Sequence, residues 1–308
     1  MTHRFALVLT GSPTRPGLTS EIVNQAAAAI PPAQRLECAW LSGGEAHQIL
    51  FATDRPDDAD RVRTAAASAL ADAPVDVNVV ADDEWRRKAL LVADMESTII
   101  EQECLDELAD HVGLRAQISE ITARAMRGEM AFEAALTERV SLLQGLDAGV
   151  LEKLYDERVT LMPGARELVA TMRRNGAHCA LVSGGFTFFT ERIAARLGFD
   201  THQANRLDIA DGRLTGEVVP PILGREAKLA ALDRLRHELN LQPRQTLAVG
   251  DGANDLDMIR AAGLGVAFRA KPIVAGEARA AVRHGDLTAL LYLQGYRKDE
   301  LVAAIPPT

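Results

Sequence analysis

The pattern of apolar and polar positions divides the chain near residue 81 into two halves. Residues 4–10 (RFALVLT) read as a buried strand, and 18–30 (LTSEIVNQAAAAI) as a helix with Thr19 or Ser20 as its cap. Strand-like stretches at 35–41 and 46–52 flank the turn-forming Ser42-Gly43-Gly44-Glu45, 57–72 is alanine-rich and helical, and 75–80 (VDVNVV) alternates like a strand. A polar stretch, Asp82-Asp83-Glu84-Trp85-Arg86-Arg87, then precedes a second regime. It opens at 88 with Lys-Ala-Leu-Leu-Val-Ala and stops abruptly at Asp94. Helical segments follow to about 158, then apolar strands at 178–182 and 245–249, each leading through a glycine-rich turn into a helix (186–197 and 254–262). Residues 203–209 and 214–219 flank a polar turn at 210–213 and read as a hairpin.

The first half has the order βαββαβ, the split βαβ or ferredoxin-like plan, an α+β unit closing near residue 81. In the second half, strands alternating with helices predict an α/β parallel sheet with helices on both faces. The expected division is therefore 1–81 and 82–308, and 308 residues are enough for two domains. The second half is expected to fold without the first, having apolar strands of its own.

Charge and cysteine content narrow the function. A formal charge of −9 disfavours a sequence-independent grip on nucleic acid or an anionic membrane, so any phosphate site must be local. Cys38, Cys104 and Cys179 are scattered, odd in number and without metal-ligand spacing, which fits a reducing cytoplasm. The apolar run at the start is too short for a signal peptide, and no segment approaches the roughly 18 apolar residues of a membrane span.

Three polar clusters lie at the C-terminal ends of three apolar strands, where open parallel sheets place their ligands. They are Asp94-Met95-Glu96-Ser97-Thr98, Ser183-Gly184-Gly185-Phe186 and Gly250-Asp251-Gly252-Ala253-Asn254-Asp255. In the first, two carboxylates stand two residues apart; in the third, glycines let backbone approach a ligand and the acids could hold a cation. Lys228 lies on the helix before the third strand. Singly, such an aspartate is often a helix cap, the Ser-Gly-Gly a turn and the lysine a solvated charge. Their joint occurrence argues otherwise.

The order DxExT, SGG, Lys, GDGxND resembles the four-motif signature of the haloacid dehalogenase-type phosphatases, over residues 88 to about 285. Glu103 in EQECLDELAD, Met126-Arg127-Gly128, Phe132 to Leu136 and Arg139-Val140 resemble the helical cap of the phosphoserine phosphatase family, and 249–272 is similar almost residue by residue. The resemblance implies a Rossmann-like core with a helical cap (about 104–158) inserted after the first motif, and a magnesium-dependent hydrolysis of a small phosphomonoester, best O-phosphoserine. Within it, Asp94 would be the nucleophile and Glu96 the general acid and base. Asp94, Asp251 and the carbonyl of Glu96 would ligate Mg2+, braced by Asp255. Ser183, Gly184 and Lys228 would bind the phosphoryl oxygens and Asn254 would orient the substrate. Glu103 and Arg139 would meet its ammonium and carboxylate, with Met126 and Phe132 as cap contacts. The family usually shows Asp where this chain has Glu96, which puts the general acid's alignment in question.

Residues 1–81, with Arg15-Pro16-Gly17-Leu18-Thr19-Ser20-Glu21-Ile22-Val23, resemble an ACT domain, a fold used to bind amino acids or to dimerise, so a homodimer is compatible with the sequence. Three other readings stand beside this one. A phospho-acceptor signalling module needs no insertion at 104–158, and a non-catalytic amino-acid sensor needs no intact Asp94, Ser183, Lys228 and Asp251. A phosphatase or phosphotransferase for another small phosphorylated metabolite shares every motif.

Overall fold

The computed structural model describes residues 2–126 and 129–303. Strand β1 (His3–Gly11), helix α1 (Ser20–Ala27), β2 (Arg35–Ser42), β3 (Ala46–Thr53), α2 (Asp58–Ala69) and β4 (Val75–Ala81) form an antiparallel sheet ordered β2-β3-β1-β4. This is the ferredoxin-like order that βαββαβ predicts. The hydroxyl of Thr19 accepts from the Ile22 amide at 3.3 Å, which settles the α1 cap. That helix ends at Ala27, earlier than the alanine-rich pattern suggests, because Pro31 and Pro32 disfavour helix in the residues before them.

The second half opens with β5 (Leu90–Ala93), followed by α3 (Cys104–His111), α4 (Arg115–Met126), α5 (Phe132–Ser141), α6 (Gly149–Arg158) and α7 (Ala165–Arg174). Then come β6 (His178–Phe186), α8 (Thr187–Leu197), β7 (Thr201–Ala210), β8 (Arg213–Val219), α9 (Arg225–Glu238) and β9 (Thr246–Gly250). The order closes with α10 (Leu256–Ala261), β10 (Leu264–Phe268), α11 (Pro272–Glu277), β11 (Ala280–Val282) and α12 (Ala289–Leu293). The seven-stranded sheet runs β11-β10-β9-β5-β6-β7-β8, parallel except for the β7–β8 hairpin at one edge. Strand β5 lies between β9 and β6, so the three motif-bearing strand ends are neighbours. Helices α3 to α6 fill the insertion after the first motif. Among the described residues no helix is long and apolar enough to cross a membrane, and all three cysteines are free.

Each half has a core of its own, and a third core spans both. On β1, Leu7 and Leu9 face the α1–α2 side, whereas Ala6 and Val8 belong to the core that contains Leu290, Leu291 and Tyr292 of α12. Both faces of β1 are thus buried, as its unbroken FALVL run allows. Polar groups secure the seam. The Asn78 side chain on β4 donates to the Ala281 carbonyl at 3.0 Å and accepts from the Ala281 amide at 2.9 Å, acting as one residue of strand beside β11. Asp76 accepts from the amides of Arg283 (2.8 Å), His284 (3.1 Å) and Gly285 (2.9 Å). Glu45 accepts from Tyr292 Oη at 2.9 Å and Thr288 Oγ1 at 3.2 Å. The stretch 82–87 is no loose linker, because Arg86 donates to the Leu293 carbonyl at 3.1 Å and to Gln48 at 2.9 Å.

Candidate active site

Asp94 follows β5 directly, its amide bonded to the Val249 carbonyl of β9 at 3.0 Å, so its position is fixed by the sheet ladder. Its carboxylate accepts from the Met95 amide at 2.8 Å and lies 2.7 Å from Lys228 Nζ. The chain then turns sharply, with Ser97 at φ 54° and the Ile99 and Ile100 amides both reaching the Met95 carbonyl. Lys228, on α9, is 2 % exposed and also contacts Asp255 at 2.5 Å. Asp255 in turn accepts from the Gly252 amide at 3.0 Å, and a side chain at Gly250 would collide with its carboxylate. Glycine is required there for close approach.

Carboxylate oxygens of Asp94, Asp251 and Asp255 lie within 4.8 Å of one another. Three acids face one lysine, so the buried cluster carries excess negative charge. Burial, then the neighbouring Asp255, raise the Asp94 carboxyl well above the usual range against the pull of Lys228. Burial and Asp255 likewise push Asp251 up to about 6. For Lys228 burial alone would lower the pKa, but Asp94 and Asp255 outweigh it and hold the ammonium charged. This donor set, all hard oxygen and short of positive charge, fits a small divalent cation such as magnesium.

Glu96 turns from the aspartates toward the start of α3, where its Oε1 accepts from the Cys104 amide at 2.8 Å. A side chain at Gly185 would come within 2.8 Å of Glu96 Oε2, so the second glycine of Ser-Gly-Gly makes room for this longer acid. Burial, and after it the charge of Glu103, push Glu96 up to about 7. Ser183 is buried with its Oγ accepting from the Gly185 amide at 2.9 Å.

Over this floor stands a cavity of about 510 Å3, lined from below by Asp94, Glu96, Gly184 and Asp251 and from the helical insertion by Phe132 and Arg139. Glu103 and Asn254 also line it, whereas Ser183, Lys228 and Asp255 lie beneath the lining. The Glu103 carboxylate accepts from Ser97 Oγ at 2.7 Å, and burial raises its pKa. Arg139 bonds the Ala135 carbonyl at 3.2 Å and Thr122 Oγ1 at 3.5 Å and makes no ion pair among the described residues. The neighbouring Glu138 pairs with Arg124 at 3.0 Å. The side chain of Met126, and Arg127 and Gly128, lie outside the described residues.

Sequence reasoning missed three groups. Asp106 lines the cavity one helical turn after Glu103, a spacing that could have revealed it. Lys271 reaches the cavity from the start of α11. Asn205, 1 % exposed, donates to the carbonyls of Gly184 (2.8 Å) and Leu223 (3.2 Å) and accepts from the Leu223 amide, clamping the Ser-Gly-Gly turn. Nothing local in its strand marks it.

An acidic, cation-fitting floor at the carboxyl edge of a parallel sheet thus stands under a helical roof. The chain belongs to the haloacid dehalogenase-like hydrolase family, whose family model matches residues 91–260. Among its sequence relatives, the phosphoserine phosphatase of Streptomyces coelicolor is 47% identical over 248 residues, 80% of this chain and 60% of the relative's length. The chain thus spans under two thirds of that longer protein. The phosphoserine phosphatase of Streptococcus thermophilus is 44% identical over 200 residues, 65% of this chain and 93% of its own. Among solved structures, a probable phosphoserine phosphatase from Vibrio cholerae superposes with a TM-score of 0.76 at 30% identity, over 96% of this chain and 88% of that one. The similarity therefore includes the N-terminal sheet.

Proposed function

We propose that the protein hydrolyses O-phosphoserine to serine and phosphate through an aspartyl-phosphate on Asp94, with magnesium as cofactor, the closing step of serine biosynthesis in the cytoplasm. The observation that carries this reading is one cavity that holds Asp94 in its floor and, in its wall, both Glu103 and an Arg139 without an ion pair among the described residues. A carboxylate and a guanidinium suit the ammonium and carboxylate of a phosphorylated amino acid, and Asp106 adds to the ammonium side.

Asp94, Asp251 and the carbonyl of Glu96 would hold the cation, whose charge would offset that of phosphate and nucleophile. Asp94 attacks phosphorus, and the Ser183 hydroxyl, the Gly184 amide and Lys228 stabilise the equatorial oxygens. Asp255 keeps Lys228 in place at 2.5 Å. Asn254 orients the substrate and Phe132 closes over it. Glu96, with its pKa near 7, protonates the serine alkoxide and then takes a proton from the hydrolytic water. Residues 82–308 supply every group in this scheme, and residues 1–81 form the supporting ferredoxin-like unit.

The test is phosphate release from a panel of phosphorylated metabolites, with magnesium and then with chelator. The reading requires phosphoserine to lead the panel and chelator to abolish release. Preference for another phosphomonoester, or transfer to a second alcohol, would move the assignment to the related readings that share these motifs.

A further inference from the structure

A second cavity, of about 520 Å3, lies at the seam between the two sheets, away from the catalytic groups. Its wall is apolar where Phe5, Val79 and Leu264 line it, and cationic where Arg63, Arg86, Lys88 and Arg279 do. The acids in the lining are already engaged. Asp60 pairs with Arg63 at 3.3 Å, and Glu277 pairs with Arg260 at 3.0 Å. Arg86 is likewise matched, by Asp82 at 3.1 Å.

Two cations remain unmatched. Lys88 Nζ donates to the carbonyls of Trp85 (2.6 Å) and Arg244 (2.8 Å), which leaves one of its three protons without an acceptor and no carboxylate in contact. Arg279 has no hydrogen bond or ion pair among the described residues. The two sense each other: burial lowers Lys88 to about 8, and the charges of Arg279 and Arg86 add to that shift against the attraction of Asp83. Half-buried Lys88 beside exposed Arg279 leaves positive charge at this cleft that an anion would offset. The volume and the position between two packed units are those of small-molecule sites.

We propose that this cavity binds a small organic anion, its charge against Lys88 and Arg279 and its apolar body on Phe5, Val79 and Leu264. The site is independent of the catalytic one. It shares no lining residue with the cavity over Asp94, and a bare inorganic anion would leave the apolar wall unfilled. Segment 277–279 of its wall ends the short run that begins with Lys271 in the active-site lining, so α11 has one end at each cavity.

The probe is 1-anilinonaphthalene-8-sulfonate, a sulfonate on an aromatic body, titrated by fluorescence into the full chain with magnesium and inorganic phosphate saturating the active site. Saturable one-to-one binding is expected, weakened at least about fivefold by Arg279→Glu, since a charge-assisted contact is replaced by repulsion. Arg279 is exposed, so this variant keeps the fold, and Arg115→Glu, an exposed reversal on α4, should leave affinity unchanged. Absence of saturable binding, a loss below about fivefold at Arg279, or an equal loss at Arg115 would overturn the proposal.

Discussion

Two groups of buried carboxylates in this molecule differ in their surroundings. At the seam, Asp76 and Glu45 are surrounded by donors: three backbone amides for the first, and Ser42, Thr288 and Tyr292 hydroxyls with Lys298 for the second. All of these donors but Ser42 come from distant chain, so these acids fasten the N-terminal sheet to residues 283–298. On the floor below the helical insertion, Asp94 and Asp255 contact one lysine with Asp251 beside them, and Asp94 and Asp251 open on a cavity. Burial alone therefore does not mark a functional acid; unbalanced charge beside open volume does.

The sharpest way to break the comparison is to neutralise one acid in each group. Asp94→Asn should lower phosphate release by more than about a hundredfold while the protein still melts cooperatively, an amide being a poor nucleophile and ligand. Glu96→Gln should slow turnover by roughly 10² to 10⁴, through loss of proton transfer in both half-reactions. If it turns over like the parent, Glu96 only spaces Gly185 from α3. Asp76→Ala should do the opposite of Asp94→Asn. Three amides lose their acceptor, so chemical denaturation should show a loss of roughly 2–4 kcal/mol with kcat of the folded fraction retained.

Smaller effects sharpen the roof and the cation site. Arg139→Ala should cost roughly 1.5–3 kcal/mol in kcat/KM for phosphoserine and much less for a phenyl phosphate without a carboxylate. Equal losses would make Arg139 a prop of the helical insertion. The magnesium concentration giving half-maximal rate should rise as pH falls through about 6, where protons compete for Asp251. The sign follows from the raised carboxyl, which takes up a proton earlier than a free one. A half-saturation independent of pH between 5 and 7 would remove Asp251 from the ligand set.

The floor of the site was legible because its residues sit at strand ends and follow one another in a fixed order. Lys228, an ordinary helical lysine by itself, became interpretable only through that order. The seam was not legible. Asp76 and Asn78 alternate with valines on β4 and read as solvent-facing, while their partners lie more than 200 residues away. Only the failure of β1 to alternate hinted that the second face of its sheet was covered. Asn205 and Lys271 were hidden for a similar reason: each acts at the site through a turn whose shape depends on the folded sheet.

The central claim is that Asp94 carries the phosphoryl group. Acid quenching of the protein during turnover of phosphoserine labelled on phosphorus tests it most directly. The account predicts protein-bound label that is released by mild base, maps to the peptide containing Asp94 and is absent from Asp94→Asn. Steady turnover with no label on that peptide at any quench time would contradict it.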